Sequence, residues 1–407
     1  MRPGQSGGNR PGRQASKPRR AAPPFPPKMK TFHCDACGHL VFFENTHCLQ
    51  CNHALGFIPE LLELSALVPQ SEGVERALAP AAGGGLYRHC ANHGTAAHCN
   101  WLVPADDPGS FCVACRLNEV IPDLSVPANP GFWQQLESAK RRLIYSLLKL
   151  QLPFDPAADG KPPLRFRFLG DTPGNPPVLT GHLHGTITVN IAEADDITRE
   201  HRRVSLHEPF RTLLGHFRHE VAHYYWETLV DGGPWLEPFR QLFGDERADY
   251  AEALKKHHAH GPDPGWNKRW VSAYASSHPW EDWAETWAHY FHIIDTIETA
   301  AGFGLSLHPQ HPAGPSMTAE PDQAATGGAD FDVILRTWFP LTYALNSLNR
   351  GMGLPDLYPF VLSDVAIEKL RFVHQVIASA ARTTPSNMTD AAPALAEVSA
   401  LGPEQAH

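Results

Sequence analysis

All eight cysteines of this 407-residue chain fall between positions 34 and 115, and that clustering constrains the fold more than any other feature. Cys34, Cys37, Cys48 and Cys51 form "CDACGHLVFFENTHCLQC", two CxxC pairs separated by ten residues. Each pair makes a turn that presents two thiolates to one ion, and four thiolates close a tetrahedral structural zinc site with no open position. So short a segment cannot build a core of its own, so metal binding supplies its folding free energy. The second quartet is less regular: Cys90 and Cys99, then "CVAC" with Cys112 and Cys115. It also suits zinc, with His89, His93 and His98 near enough to replace a cysteine. Neither quartet offers catalytic chemistry. Their role is structural, or they recruit a protein partner.

The redox environment follows from the N-terminus. It is basic but lacks the apolar segment of a signal peptide, so a disulfide framework is not expected and a cytoplasmic location is. No run approaches the roughly 18 apolar residues of a membrane span, so no membrane contact is expected. The chain carries a net charge of −9, although residues 1–30 hold eight Lys or Arg and no acid. An acidic body behind a basic arm argues against a nucleic-acid-binding surface over most of the protein.

Composition divides the chain into an Arg-, Pro- and Gly-rich arm over residues 1–28, expected to be disordered, and a zinc ribbon over 29–60. "PAAGGG" near 80–85 reads as a linker to a second four-cysteine zinc module over 86–121. A mainly helical domain is expected over 126–381, and the polar Ala/Pro-rich tail over 382–407 reads as disordered. Within the domain, "GFWQQLESAKRRLIYSLLKLQL" places Phe132, Leu136, Leu143, Ile144, Leu147 and Leu148 at helical spacing. "HGTITVNI" places Ile187, Val189 and Ile191 at period two, a strand. Two helices bracket the chemistry: "EPFRTLLGHFRHEVAHYYWETLV", with Glu208 and Pro209 suited to its first turn, and "HPWEDWAETWAHYFHIIDTIETA", opened by Pro279. Residues 302–330 read as a long loop, and further helices are expected near 331–350 and 363–381.

The first of these helices contains His219-Glu220-Val-Ala-His223. On a helix, residues four apart lie about 40° apart in projection and one turn apart along the axis. The two imidazoles can therefore serve one zinc ion, with Glu220 beside them to take a proton from water. A catalytic zinc needs a third protein ligand and an open position. "AYASSHPWEDWAETWAHY" supplies Glu281, Asp282 and Glu285 among aromatic residues. Glu281 and Glu285 are one turn apart, so one could bind zinc and the other orient a ligand histidine. His216 shares the face of His219, where a hydrogen bond is a simpler role than metal contact. "GDERADY" reads mainly as a capping and salt-bridging segment.

Several stretches together resemble a bacterial family of zinc-binding metallopeptidases that carries N-terminal zinc ribbons. They are "CDACGHLVFFENTHCLQC", "CNWLVP", "GHLHGTITVNIAEADD", "EPFRTLLGHFRHEVAHYYW", "FGDERADY", "HPWEDWAETWAHY" and "NSLNRGMGLPDLYPF". The likeness spans about residues 32–380 and implies no defined substrate. A weaker similarity, to the zinc peptidase domains of anthrax lethal factor and of the Mlc titration factor, bears on the third ligand. There a tyrosine precedes the ligand glutamate by seven residues, as Tyr274 precedes Glu281 here. The resemblance thus implies Glu281 as ligand, Tyr274 as hydrogen-bond donor to the oxyanion, and Glu285 as partner of a ligand histidine. Position 222 is Ala where related proteins often have Gly, a change a helix accepts.

The expected architecture is α+β: small zinc-ribbon modules before a mostly helical zincin-like metallopeptidase domain. The expected activity is hydrolysis of peptide bonds in a peptide or protein substrate, with one catalytic and two structural Zn2+ ions. Zinc on His219, His223 and Glu281 would activate a water for which Glu220 is the general base. The alternative is a non-hydrolytic zinc scaffold whose ribbons bind a protein or nucleic acid. The intact HExxH motif, Glu281 and Tyr274 argue against it. By analogy with other zinc peptidases, "HGTITVN" is expected to be an edge strand along which a substrate pairs.

Overall fold

The computed structural model describes residues 31–383 apart from 156–159, 173, 175, 197–198, 200–211, 310–316 and 326–327. The basic arm and nearly all of the C-terminal tail lie outside the described residues.

The first cysteine pairs fold as two tight knuckles. Strands β1 (Phe32–His33) and β2 (Leu40–Val41) pair antiparallel across the first. The amide of Gly38 donates to the Cys34 carbonyl at 2.7 Å and that of Asn52 to the Cys48 carbonyl at 2.8 Å. Both residues sit at left-handed φ, +75° and +59°. Glycine and asparagine are the residues that accept this backbone most readily.

Strands β3 (Leu55–Ile58), β4 (Glu63–Ser71), β5 (Val74–Ala77), β6 (Leu86–His89) and β7 (Leu102–Pro104) then form an antiparallel sheet in chain order. The Phe57 amide donates to the Asn100 carbonyl at 2.8 Å, and Phe57 bridges Trp101, so the end of the sheet returns to its start. The approach is close enough that a Cβ at Gly56 would lie 2.5 Å from the Leu102 side chain. The expected linker near 80–85 is the turn between β5 and β6. It holds a single 3-10 turn, Pro80–Ala82, followed by Gly83 and Gly84 at positive φ. The two cysteine quartets are therefore joined by continuous sheet.

The second quartet runs straight into the helical part of the chain. Strand β8 (Asn118–Val120) follows Cys115 and pairs parallel with β9 (Arg165–Leu169). With β10 (Gly181–Leu183) and β11 (Thr186–Asn190) they form a sheet of order β10-β11-β9-β8. This corrects the expectation for "HGTITVN". Its strand, β11, is internal, parallel to β9 and antiparallel to β10, and β10 is the edge. Ile187 and Val189 are buried, and Gly185 at φ +81° turns β10 back alongside them.

Among the described residues the α-helices include α1 (Asn129–Lys149), α2 (Leu213–Tyr225), α3 (Leu236–Phe243), α4 (Tyr250–His260), α5 (Pro279–Gly302), the short α6 (Pro321–Ala324), α7 (Phe331–Gly351) and α8 (Asp364–Thr383). The expected start of α2 at Glu208 and Pro209 lies outside the described residues. Leu213 is the first helical residue after that gap, capped by Thr212 Oγ1, which accepts from the Gly215 amide at 2.9 Å. Helix α5 is the central element. It buries Trp283, Trp287, Tyr290, Phe291 and Ile293 and packs against α2, α7 and α8. Its Trp283 indole donates to the Ala222 carbonyl at 2.8 Å, inside the HExxH turn, and Trp287 stacks on Tyr225. Deleting a buried indole of this kind costs about 3–5 kcal/mol. The ribbon aromatics join the same core, with Phe43 and Phe57 edge-on to Tyr145 of α1. Among the described residues, no helix is long and apolar enough to cross a membrane.

Candidate metal centre

Among the described residues, three clusters of side chains could each hold one ion: Cys34, Cys37, Cys48 and Cys51; Cys90, Cys99, Cys112 and Cys115; and His219, His223 and Glu281. In the first, Cys34 and Cys51 sulfurs lie 3.5 Å apart and those of Cys37 and Cys48 3.6 Å apart. In the second, Cys99 is 3.7 Å from Cys112 and 3.8 Å from Cys115. A zinc–sulfur bond of about 2.3 Å gives a tetrahedron edge of about 3.8 Å, whereas a disulfide would need about 2.05 Å. All eight cysteines are free, and the spacing is that of a shared metal.

The surroundings differ. The first quartet reaches the surface at Cys37. The second is wholly buried against α1, whose Glu137, Lys140 and Arg141 are buried with it. Lys140 pairs with Glu137 at 2.5 Å, and Arg141 donates to the Ala97 carbonyl at 3.2 Å. Two cations against one carboxylate leave positive charge beside four sulfurs, which favours thiolates. The nearby histidines have other work: His89 meets Glu75 at 2.8 Å, His93 meets the Cys99 carbonyl at 2.9 Å, and His98 is exposed.

The third cluster is assembled from α2 and α5. Its potential ligand atoms all lie within 4.8 Å of one another. His278 sets the start of α5: its Nδ1 accepts from the Trp280 amide at 3.1 Å, and its Nε2 meets the Ala248 carbonyl at 3.1 Å. Pro279 occupies the first turn, where its missing N–H is harmless. Glu281 in that first turn then faces α2. His219 Nε2 is 2.9 Å from Glu281 Oε2, and His223 Nε2 is 3.8 Å from Glu281 Oε1. One turn later Glu285 Oε1 takes His219 Nδ1 at 2.8 Å, while Ser272 Oγ donates to Glu285 Oε2 at 2.6 Å. With Nδ1 taken by Glu285, Nε2 is the ring nitrogen turned toward Glu281.

Burial lowers the basicity of His219, yet Glu281 and Glu285 outweigh it and raise the pKa well above the ordinary imidazole value. Burial pushes the Glu281 carboxyl up, but the imidazoles and the Tyr250 hydroxyl hold it at about 2. His223 is pulled down to about 4, chiefly by burial, and so stays a neutral donor. Glu281 Oε2 is buried and makes no hydrogen bond, although His219 Nε2 is close by. Two imidazoles and an otherwise unpartnered carboxylate oxygen are a donor set that fits zinc.

The remaining candidates separate cleanly. Asp282 turns away and pairs with Lys369 of α8 at 2.6 Å. His216 meets Glu193 at 3.4 Å and belongs to no metal-capable cluster among the described residues. Glu220 follows His219 and is half-buried. The Tyr274 ring centre is 6.0 Å from that of His219 and 5.9 Å from that of His257 on α4. "GDERADY" does cap and bridge: Asp249 accepts from the Glu252 amide, and Arg240 holds Glu246. It also supplies a residue that sequence reasoning passed over, Tyr250, whose hydroxyl donates to Glu281 Oε1 at 2.7 Å. The signal available was its place in "FGDERADY", one of the stretches that carry the family resemblance.

Comparison with known proteins gives the family. Residues 129–376 match the family described as "Putative zinc-binding metallo-peptidase", and residues 31–126 match a zinc-ribbon domain that takes in both cysteine quartets. Uncharacterized proteins of Mycobacterium tuberculosis (Rv2568c, strain H37Rv) and Mycobacterium bovis (Mb2598c) are each 43% identical over 352 residues, covering 86% of this chain and 95% of theirs. No solved structure matches. With its α+β helical domain and preceding cysteine clusters, the chain belongs to this zinc-binding metallopeptidase family and carries an N-terminal zinc-ribbon domain.

Proposed function

We propose that the chain hydrolyses peptide bonds, with His219, His223 and Glu281 holding a catalytic zinc and the two cysteine quartets holding one structural zinc each. The observation that carries this reading is the convergence of two imidazole nitrogens and a carboxylate oxygen, from two helices, to within 4.8 Å of one another. Zinc held by His219, His223 and Glu281 would supply a Lewis acid that makes a water more acidic, down to about pKa 7. Glu220 is the base that would take a proton from the attacking water and pass it to the departing amine. Tyr274 donates its hydroxyl to the scissile carbonyl oxygen as negative charge grows on it. Glu285, held by Ser272, keeps His219 turned so that Nε2 faces Glu281 Oε2. The outer edge of β10, unpaired by any strand among the described residues and beside α2, offers backbone groups to an extended peptide, in the role first expected of β11. Reduced thiols at both quartets fit a cytoplasmic setting.

Cleavage of a peptide library by the wild type, with a chelator control and a Glu220→Gln variant alongside, tests the reading. The expected result is chelator-sensitive cleavage that the variant has lost while keeping its metal. Unchanged cleavage in Glu220→Gln would remove Glu220 from the role of base.

A further inference from the structure

We infer that Tyr250 is a positioning residue of the metal centre: its hydroxyl holds Glu281 Oε1 and so leaves Glu281 a one-oxygen ligand, through Oε2. This rests on the proposed zinc site. The two oxygens of Glu281 have different surroundings. Oε1 accepts from the Tyr250 hydroxyl at 2.7 Å and stands 3.8 Å from His223 Nε2. Oε2 is buried, makes no hydrogen bond, and lies 2.9 Å from His219 Nε2. A carboxylate free to rotate can offer both oxygens to one ion, whereas one whose first oxygen is already hydrogen-bonded offers the second.

Tyr250 is itself held in place. Its ring packs edge-on to His278 at 5.2 Å and against Trp280 at 5.8 Å, both at the start of α5. The same His278 holds the Ala248 carbonyl at 3.1 Å, and Asp249 caps α4 at the Glu252 amide, 2.9 Å away. Residues 248–250 are thus clamped to the turn that carries Glu281. A phenol has one proton to donate. Tyr250 gives its proton to Glu281, so it is not a donor to substrate in this arrangement. That separates its role from the one proposed for Tyr274.

The test uses the full chain and metal alone. Zinc affinity is measured by competition with a chromophoric chelator, and the cobalt-substituted protein is followed by its visible d–d absorption, for wild type, Tyr250→Phe, Tyr274→Phe and Glu281→Ala. Tyr250→Phe should weaken the third site about ten- to a hundredfold while keeping both cysteine-bound ions. Its cobalt bands should lose intensity as Glu281 swings to two-oxygen binding and the coordination number rises. Tyr274→Phe should keep wild-type affinity. Wild-type affinity and an unchanged cobalt spectrum in Tyr250→Phe would overturn the inference and leave the zinc site standing. A wild type with no third ion, indistinguishable from Glu281→Ala, would overturn the zinc site and this inference with it.

Discussion

The second cysteine quartet and the His219–His223–Glu281 cluster both gather ligand atoms around a point, but they treat solvent in opposite ways. All four cysteines are buried, backed by Lys140 and Arg141, and the chain continues from Cys115 directly into β8 of the domain sheet. The histidines keep 15% and 18% of their side-chain surface exposed, and only Glu281 is fully buried. A closed shell of four protein ligands can only hold structure together, whereas three ligands at a surface leave room for a reactant. The contrast teaches that one ion can be built into a fold while another is displayed by it, and that burial separates the two uses.

The comparison breaks first at the cysteines. Cys112→Ser removes a ligand from the buried cluster. Structural zinc contributes on the order of 10 kcal/mol in small modules, so loss of cooperative thermal unfolding is expected, measured by circular dichroism. Cys37→Ser, at the exposed corner of the first quartet, should lower the melting temperature by less. Equal losses in the two variants would contradict the view that the second quartet is part of the common core.

At the open site the effects fall on rate and leave the fold intact. Glu220→Gln should lower peptide cleavage about 10²–10⁴-fold, with zinc content and melting temperature unchanged. Tyr274→Phe should lower it about 10²-fold, seen in kcat more than in KM. Glu285→Gln leaves His219 with a weaker partner and should weaken zinc binding about tenfold, read by chelator competition. Dialysis against a chelator sharpens the contrast further. One ion should leave early, together with activity, and the cysteine-bound ions late; simultaneous release would contradict the difference in exposure.

Much of the site was legible because its parts are local. CxxC spacing, the one-turn separation of His219 and His223, and Pro279 opening a helix that carries Glu281 are patterns within short windows. What escaped was long-range or irregular. The β3–β7 sheet was not foreseen: β4 contains Pro69 at a register shift, and its exposed end and short neighbours blur the period-two pattern. Helix α4 has no buried residue, so "AEALKKHHAH" carries no apolar stripe to announce it. That β11 is internal depends on its neighbours and cannot be read from its own alternation. Tyr250 meets Glu281 across 31 residues of chain, a contact no local pattern encodes.

The measurement that bears most directly on the account is zinc content by elemental analysis of the wild type and of Glu281→Ala. The account predicts three ions per chain, falling to two in the variant with the fold intact. Two ions in both would contradict it, and would leave His219 and His223 as neighbours on a helix with no metal to share.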